Sequence, residues 1–201
     1  MAFRKLLLSL QSLFNSNFGG MLHKEDEVLW YAMRVPYRNE LKVQSKLQDK
    51  GIESFVPKRK KLVKRRGKTY YELLPAVNNL IFVHTSLSII KEVKKEIENL
   101  QYIVNKCLGG NDYAIVRDEE MQQFIKVVES FDDEIAYLSP DEVNIEKGTR
   151  IRVIGGKFNG VEGIFVKVKG KRSKRVVIML EGFLAVVMAE VDTELIEVIK
   201  N

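Results

Sequence analysis

The stretch that most restricts the fold of this chain runs from Gly148 to Val168. Gly155, Gly156, Gly160 and Gly163 lie between two alternating apolar runs. In the first, Ile151 and Val153 alternate with Arg150 and Arg152; in the second, Ile164, Val166 and Val168 alternate with Phe165, Lys167 and Lys169. A period of two marks half-buried strands. Glycines this dense supply positive φ or close backbone approach, so they predict a tight corner between strands and argue against a helix.

Charge is distributed in blocks. Between Glu27 and Ser130 there are 19 basic and 13 acidic residues; from Phe131 to Lys147 there are 1 and 6; from Gly148 onward there are 10 and 6. Two basic bodies are therefore joined by an acidic strap. Basic bodies attract polyanions, which makes nucleic acid or a nucleoprotein assembly the leading partner class, with a merely solubilising surface as the alternative. Cys107 is the single cysteine, so no disulfide forms within the chain and a reducing cytoplasm is expected. With only His23 and His84 beside it, no zinc constellation is available. No apolar run approaches the roughly 18 residues of a membrane span. The chain is expected to be a monomer without cofactor or metal.

Residues 1–26 read as a tail. Phe3, Leu6, Leu7, Leu10, Leu13 and Phe14 have helical spacing, Asn15 to Gly20 reads as a spacer, and Met21 is an alternative start. Arg4 and Lys5 before the apolar run imitate a signal peptide, but Ser9, Gln11 and Ser12 interrupt it and no cleavage site follows. Residues 27–130 carry a domain pattern. Glu27 to Val35 is a β-rich run stopped by Pro36; Asn39 caps a helix to Lys50 that Gly51 ends; Ile52 to Val56 is a strand stopped by Pro57. Leu80 to Val83 is a buried strand, and Ile89, Ile90, Val93, Ile97 and Leu100 form a helical stripe capped by Ser86 or Ser88. Tyr102 to Val104 is strand-like, Gly109 to Asp112 is a turn, and Asp118 starts a helix that buries Met121, Phe124, Ile125 and Val128. The expected class is α+β, an antiparallel sheet flanked by helices, followed by a small β-barrel. Residues 131–147 read as an acidic linker, and 148–201 as the barrel, with a second basic loop from Lys167 to Arg175 and a turn at Gly182.

Between Lys58 and Lys68 eight of eleven residues are basic: Lys58, Arg59, Lys60, Lys61, Lys64, Arg65, Arg66 and Lys68. With Gly67 as turn residue this predicts a β-hairpin tip. Cations so close repel one another, and a phosphate backbone relieves that by neutralisation and counterion release; a solvated loop is the alternative. Tyr70 and Tyr71 follow, either as stacking partners for bases or, as aromatics entering a strand more often are, as core.

The glycine-rich stretch resembles the KOW motif of small β-barrels in transcription and ribosomal proteins, carried by Gly148, Val153, Gly156, Phe158, Gly160, Gly163 and Val166, with Lys157 where many members have proline. With Trp30-Tyr31, the Pro75 to Val83 strand and Leu108-Gly109-Gly110, the chain from Val28 to Ile199 resembles the NusG family of transcription elongation factors. The resemblance implies an N-terminal domain that binds the clamp region of RNA polymerase through Val77, Leu80 and Phe82. Leu80 stands where the family has tyrosine, and Asn78 where it has proline. The resemblance extends to the specialised UpxY-type antiterminators of capsular polysaccharide operons in Bacteroides. For that role the basic hairpin lies near upstream or nontemplate DNA, or nascent RNA, and the barrel meets a ribosomal protein or a termination factor. The competing reading is a ribosome- or RNA-binding protein using Arg150, Arg152, Lys171, Arg172 and Arg175. Catalysis is not expected: His84 has no acid partner near it in sequence, and Gly155-Gly156 lacks the helix that a phosphate-cradling loop needs.

Overall fold

The computed structural model describes residues 26–104, 113–130, 135–138, 148–167, 174–180, 186–189 and 191–199. The expected tail helix, the Gly109 to Asp112 turn, most of the second basic loop and the Gly182 turn lie outside them.

β1 (Val28–Arg34) forms where β-prone residues run unbroken up to Pro36. It is central. β5 (Leu80–Ser86) pairs with it along its whole length, and β6 (Gln101–Tyr102) and β7 (Ile115–Val116) pair on its other side. β2 (Glu53–Phe55) adds to the far edge of β5, so the order is β2-β5-β1-β6 with β7 also on β1, antiparallel throughout. α1 (Glu40–Asp49) begins after Asn39, whose side chain makes no capping bond. Gly51, at φ +70°, ends it as a left-handed glycine should.

Both faces of this sheet are covered. Tyr31, Met33, Ile81 and Val83 pack with Val43 and Leu47 of α1 and Ile90 and Val93 of α2 (Leu87–Glu96). Ser86 caps α2, its Oγ accepting from the Ile89 amide at 3.4 Å. Ile89 is exposed although its spacing placed it on the apolar stripe, while Ile97 and Leu100 are buried beyond the end of the helix. On the opposite face Trp30, Ala32, Leu80 and Phe82 pack with Met121, Phe124, Val127 and Val128 of α3 (Asp118–Glu129). The Phe124 ring lies 5.5 Å from Phe82 and 6.0 Å from Phe55, edge to face in both cases.

β3 (Lys58–Arg65) and β4 (Lys68–Pro75) form a two-stranded ribbon of their own between β2 and β5. The remaining strands are β8 (Ala136–Leu138), β9 (Thr149–Val153), β10 (Glu162–Lys167), β11 (Lys174–Met179), β12 (Val186–Ala189) and β13 (Ile196–Val198). The region expected as a barrel is a six-stranded antiparallel sheet in the order β13-β9-β10-β11-β12-β8. β8 corrects the reading of 131–147 as linker alone: Ala136, Tyr137 and Leu138 pair with Met188, Val187 and Val186. Three residues are too few to show a period, and the partner strand lies some fifty residues downstream, so only tertiary pairing reveals it.

The glycine corner is as tight as its sequence implied. Gly156 and Gly160 have φ of +66° and +84°, and the Gly160 amide donates to the Val153 carbonyl at 2.7 Å. A Cβ on Gly163 would sit 2.7 Å from the Val177 carbonyl oxygen, so β10 and β11 approach as only glycine permits. The C-terminal sheet is docked on α3. The Glu162 amide donates to Gln123 Oε1 at 2.9 Å and Lys126 Nζ donates to the Asn159 carbonyl at 2.5 Å. Ile151, Val153, Phe158, Val161, Val176, Ile178 and Leu180 are continuous with the Trp30–Phe82–Phe124 core.

Candidate nucleic-acid interface

The ribbon gathers all eight predicted cations on two strands and one turn. Arg66 and Gly67 close it with φ of +50° and +76°, the pattern of a two-residue type I′ loop whose twist matches that of the strands it joins. The register runs from Lys58↔Pro75 to Arg65↔Lys68. Paired residues share a face and successive ones alternate, so the cations divide into two sets. One face carries Lys58, Lys60 and Lys64 with Leu62, Thr69, Tyr71 and Leu73. The other carries Arg59, Lys61, Arg65 and Lys68 with Val63, Tyr70, Glu72 and Leu74. Glu72 is the only acid on the ribbon and meets Arg65 at 3.4 Å on that second face. Both tyrosines are exposed, Tyr70 at 40% and Tyr71 at 72%, with Leu62 and Leu73 exposed beside Tyr71. The expectation that aromatics entering a strand are core is overturned: every residue of these two strands is exposed or only partly buried. At its base the ribbon nears β8: burial pushes Tyr137 up to about 12, an effect that the positive charge of Arg59 opposes.

The residues assigned to polymerase by resemblance sit differently. Leu80 and Phe82 are 3% and 0% exposed, so in this arrangement they form core rather than surface. Val77 is half-buried against the same cluster. The turn before β5 stays accessible and is rigid. Asn78 is exposed, and Asn79, at φ +61°, donates its amide to Glu40 Oε1 at 2.5 Å and accepts from the Val35 amide at 3.0 Å. Of the motif residues, Val153, Phe158 and Val166 are buried, while Gly156, Gly160 and Gly163 shape the corner. Their role is structural.

One constellation escaped sequence reading. His84 stacks on Trp30 with ring centroids 4.6 Å apart and an interplanar angle of 7°. Its Nδ1 lies 2.7 Å from Glu53 Oε2, and its Nε2 lies 3.5 Å from Asp118 Oδ1. The acid partners missing nearby in sequence arrive across the sheet, Glu53 by direct register and Asp118 from the first turn of α3. The group clasps β2, β5 and α3 together. Elsewhere, burial pushes Tyr102 up to about 12, helped by neighbouring Tyr113 and Tyr31. Among the described residues no group of three or more His, Cys, Asp or Glu side chains is placed to hold a metal, and no helix is long and apolar enough to cross a membrane.

Residues 29–125 match the family model described as transcription termination factor NusG. The chain is also similar to a Thermotoga maritima structure titled "Domain interaction in Thermotoga maritima NusG", at 16% identity and a TM-score of 0.46, over 87% of this chain and 98% of that one. No curated protein matches the chain.

Proposed function

From the match of residues 29–125 to the NusG family model, we propose that the chain is a NusG-family transcription factor without catalytic activity that binds RNA polymerase during elongation and promotes readthrough of early terminators. The observation that carries this reading is the basic two-stranded ribbon within the segment that matches the NusG family model. Seven cations on two faces, with Arg66 in the turn, suit upstream or nontemplate DNA, where phosphate contacts position the protein and few base contacts specify. Contact with the polymerase clamp region is assigned to the approach to β5. Val77 and the rigid Asn78-Asn79 turn supply its surface, and Leu80 and Phe82 support them from inside. We further assign the protein to the specialised antiterminators of surface polysaccharide operons. The support is its departure from the housekeeping pattern at Asn78 and Leu80, together with the density of charge on the ribbon.

A readthrough assay with purified polymerase tests this reading. On a template with a terminator downstream of a long-operon leader, the protein raises the full-length fraction, and the Lys64, Arg65 and Arg66 triple neutralisation reduces the gain. No gain on any such leader defeats antitermination. A gain that the triple variant retains in full at every salt concentration defeats the role of the ribbon.

A further inference from the structure

The two faces of the ribbon are chemically unequal, and the inequality points to more than general attraction for phosphate. On the face bearing Arg59, Lys61, Arg65 and Lys68, Glu72 neutralises part of the charge by its contact with Arg65. Among the ribbon's own residues, the face bearing Lys58, Lys60 and Lys64 has no acid. Its centre is apolar and open: Leu62 and Tyr71 are a directly paired couple, 57% and 72% exposed, and Leu73 next to Tyr71 is 44% exposed. Contiguous exposed apolar surface rimmed by charge marks a binding surface. A duplex offers an aromatic ring no base face to stack on, because its bases are stacked inside and only their edges reach the grooves. A single strand presents both chemistries together, with π-faces for an aromatic ring and phosphates for flanking cations. Lys58 and Lys60 are roughly 7 Å apart along β3, with Lys60 and Lys64 twice that distance apart across the Leu62–Tyr71 pair.

We propose that the Lys58, Lys60 and Lys64 face of the ribbon is a platform for single-stranded nucleic acid, on which a base stacks on Tyr71 beside Leu62 and Leu73 while the lysines hold the neighbouring phosphates. This rests on the reading of the ribbon as a nucleic-acid surface and adds the strandedness and the residue that senses it. Recognition is tolerant of sequence, because every base has a π-face. Tyr70, on the opposite face, takes no part in stacking there.

The test uses the full chain and fluorescence anisotropy with labelled oligothymidylate and oligouridylate of about twelve nucleotides, and with a mixed-sequence DNA duplex of the same length. Tyr71→Ala is expected to weaken binding of a single strand about tenfold and to leave duplex binding within about twofold. Tyr71→Phe restores single-strand affinity, and Tyr70→Ala leaves it unchanged. Preference for the thymidylate or the uridylate strand tells DNA from RNA, and either one supports the platform. Equal loss on duplex and single strand, a Phe variant as weak as the Ala variant, or loss carried by Tyr70 overturns it. So does a Tyr71→Ala variant whose oligonucleotide affinity is intact while its polymerase affinity falls, since the strip then docks on protein. No polymerase is present in the binding assay. Retained readthrough with no single-strand binding therefore defeats the platform alone, whereas single-strand binding without readthrough defeats the elongation reading alone.

Discussion

Strand β5 and the β3–β4 ribbon are adjacent in the chain and opposite in character. β5 is central, with α1 and α2 on one face and α3 on the other, and six of its seven residues are buried. Among the described strands the ribbon pairs only with itself, and none of its sixteen strand residues is fully buried. Each was singled out by sequence as a binding element, β5 for an apolar contact and the ribbon for an anionic one. The comparison teaches that an apolar residue on a strand reports contact with something without saying what. In β5 that something is the protein's own α3; on the ribbon, Tyr71, Leu62 and Leu73 stay exposed.

The largest effect that could break this contrast lies in β5. Phe82→Ala is expected to cost about 3–5 kcal/mol in urea unfolding, because a fully buried ring against Phe124 leaves a cavity. A Phe82→Ala variant of unchanged stability that loses polymerase would return Phe82 to the surface. In the ribbon, neutralising Lys64, Arg65 and Arg66 should change stability by no more than about 0.5 kcal/mol. It should also flatten the dependence of log affinity for nucleic acid on log salt by about 2–3. A ribbon that unfolds on this change, or a slope that does not move, erases the distinction. The smallest effect is at the ribbon's base. The pKa of Tyr137 is about 12 in the folded protein against 10 for the ordinary group. Between those values the unfolded chain has lost the proton that the folded chain keeps, so this contribution to stability is complete below pH 10 and falls as pH rises toward 12. Tyr137→Phe should therefore lessen the loss of stability between pH 9 and 11 in denaturant titrations. An unaltered slope would show that the Tyr137 hydroxyl is not buried in the folded protein.

Several elements were legible because their signals are local. Eight cations around Arg66-Gly67 need only a two-residue turn to become a ribbon, and that turn is set by its own φ values. The corner from Gly155 to Gly163 is equally local, as is the stop at Pro36. What stayed hidden depends on partners distant in sequence. The clasp of His84 with Glu53 and Asp118 is made by register and by the docking of α3. β8 has only three residues and acquires its identity from β12. The burial of Ile97 and Leu100 beyond the end of α2 likewise comes from tertiary packing rather than helical period.

By itself, the sequence determined the longer strands and helices, where the positive charge concentrates, and that the C-terminal unit turns on glycine. These follow from period, propensity and backbone sterics, which act over a few residues. Burial of Leu80 to Val83 was legible, but tertiary structure alone decided that α3 is what covers Leu80 and Phe82, that Tyr71 faces outward, and that the C-terminal sheet shares its apolar cluster with α3. A period of two separates the faces of a strand, but which face is covered depends on the layer that docks there, and that layer is built from residues far along the chain.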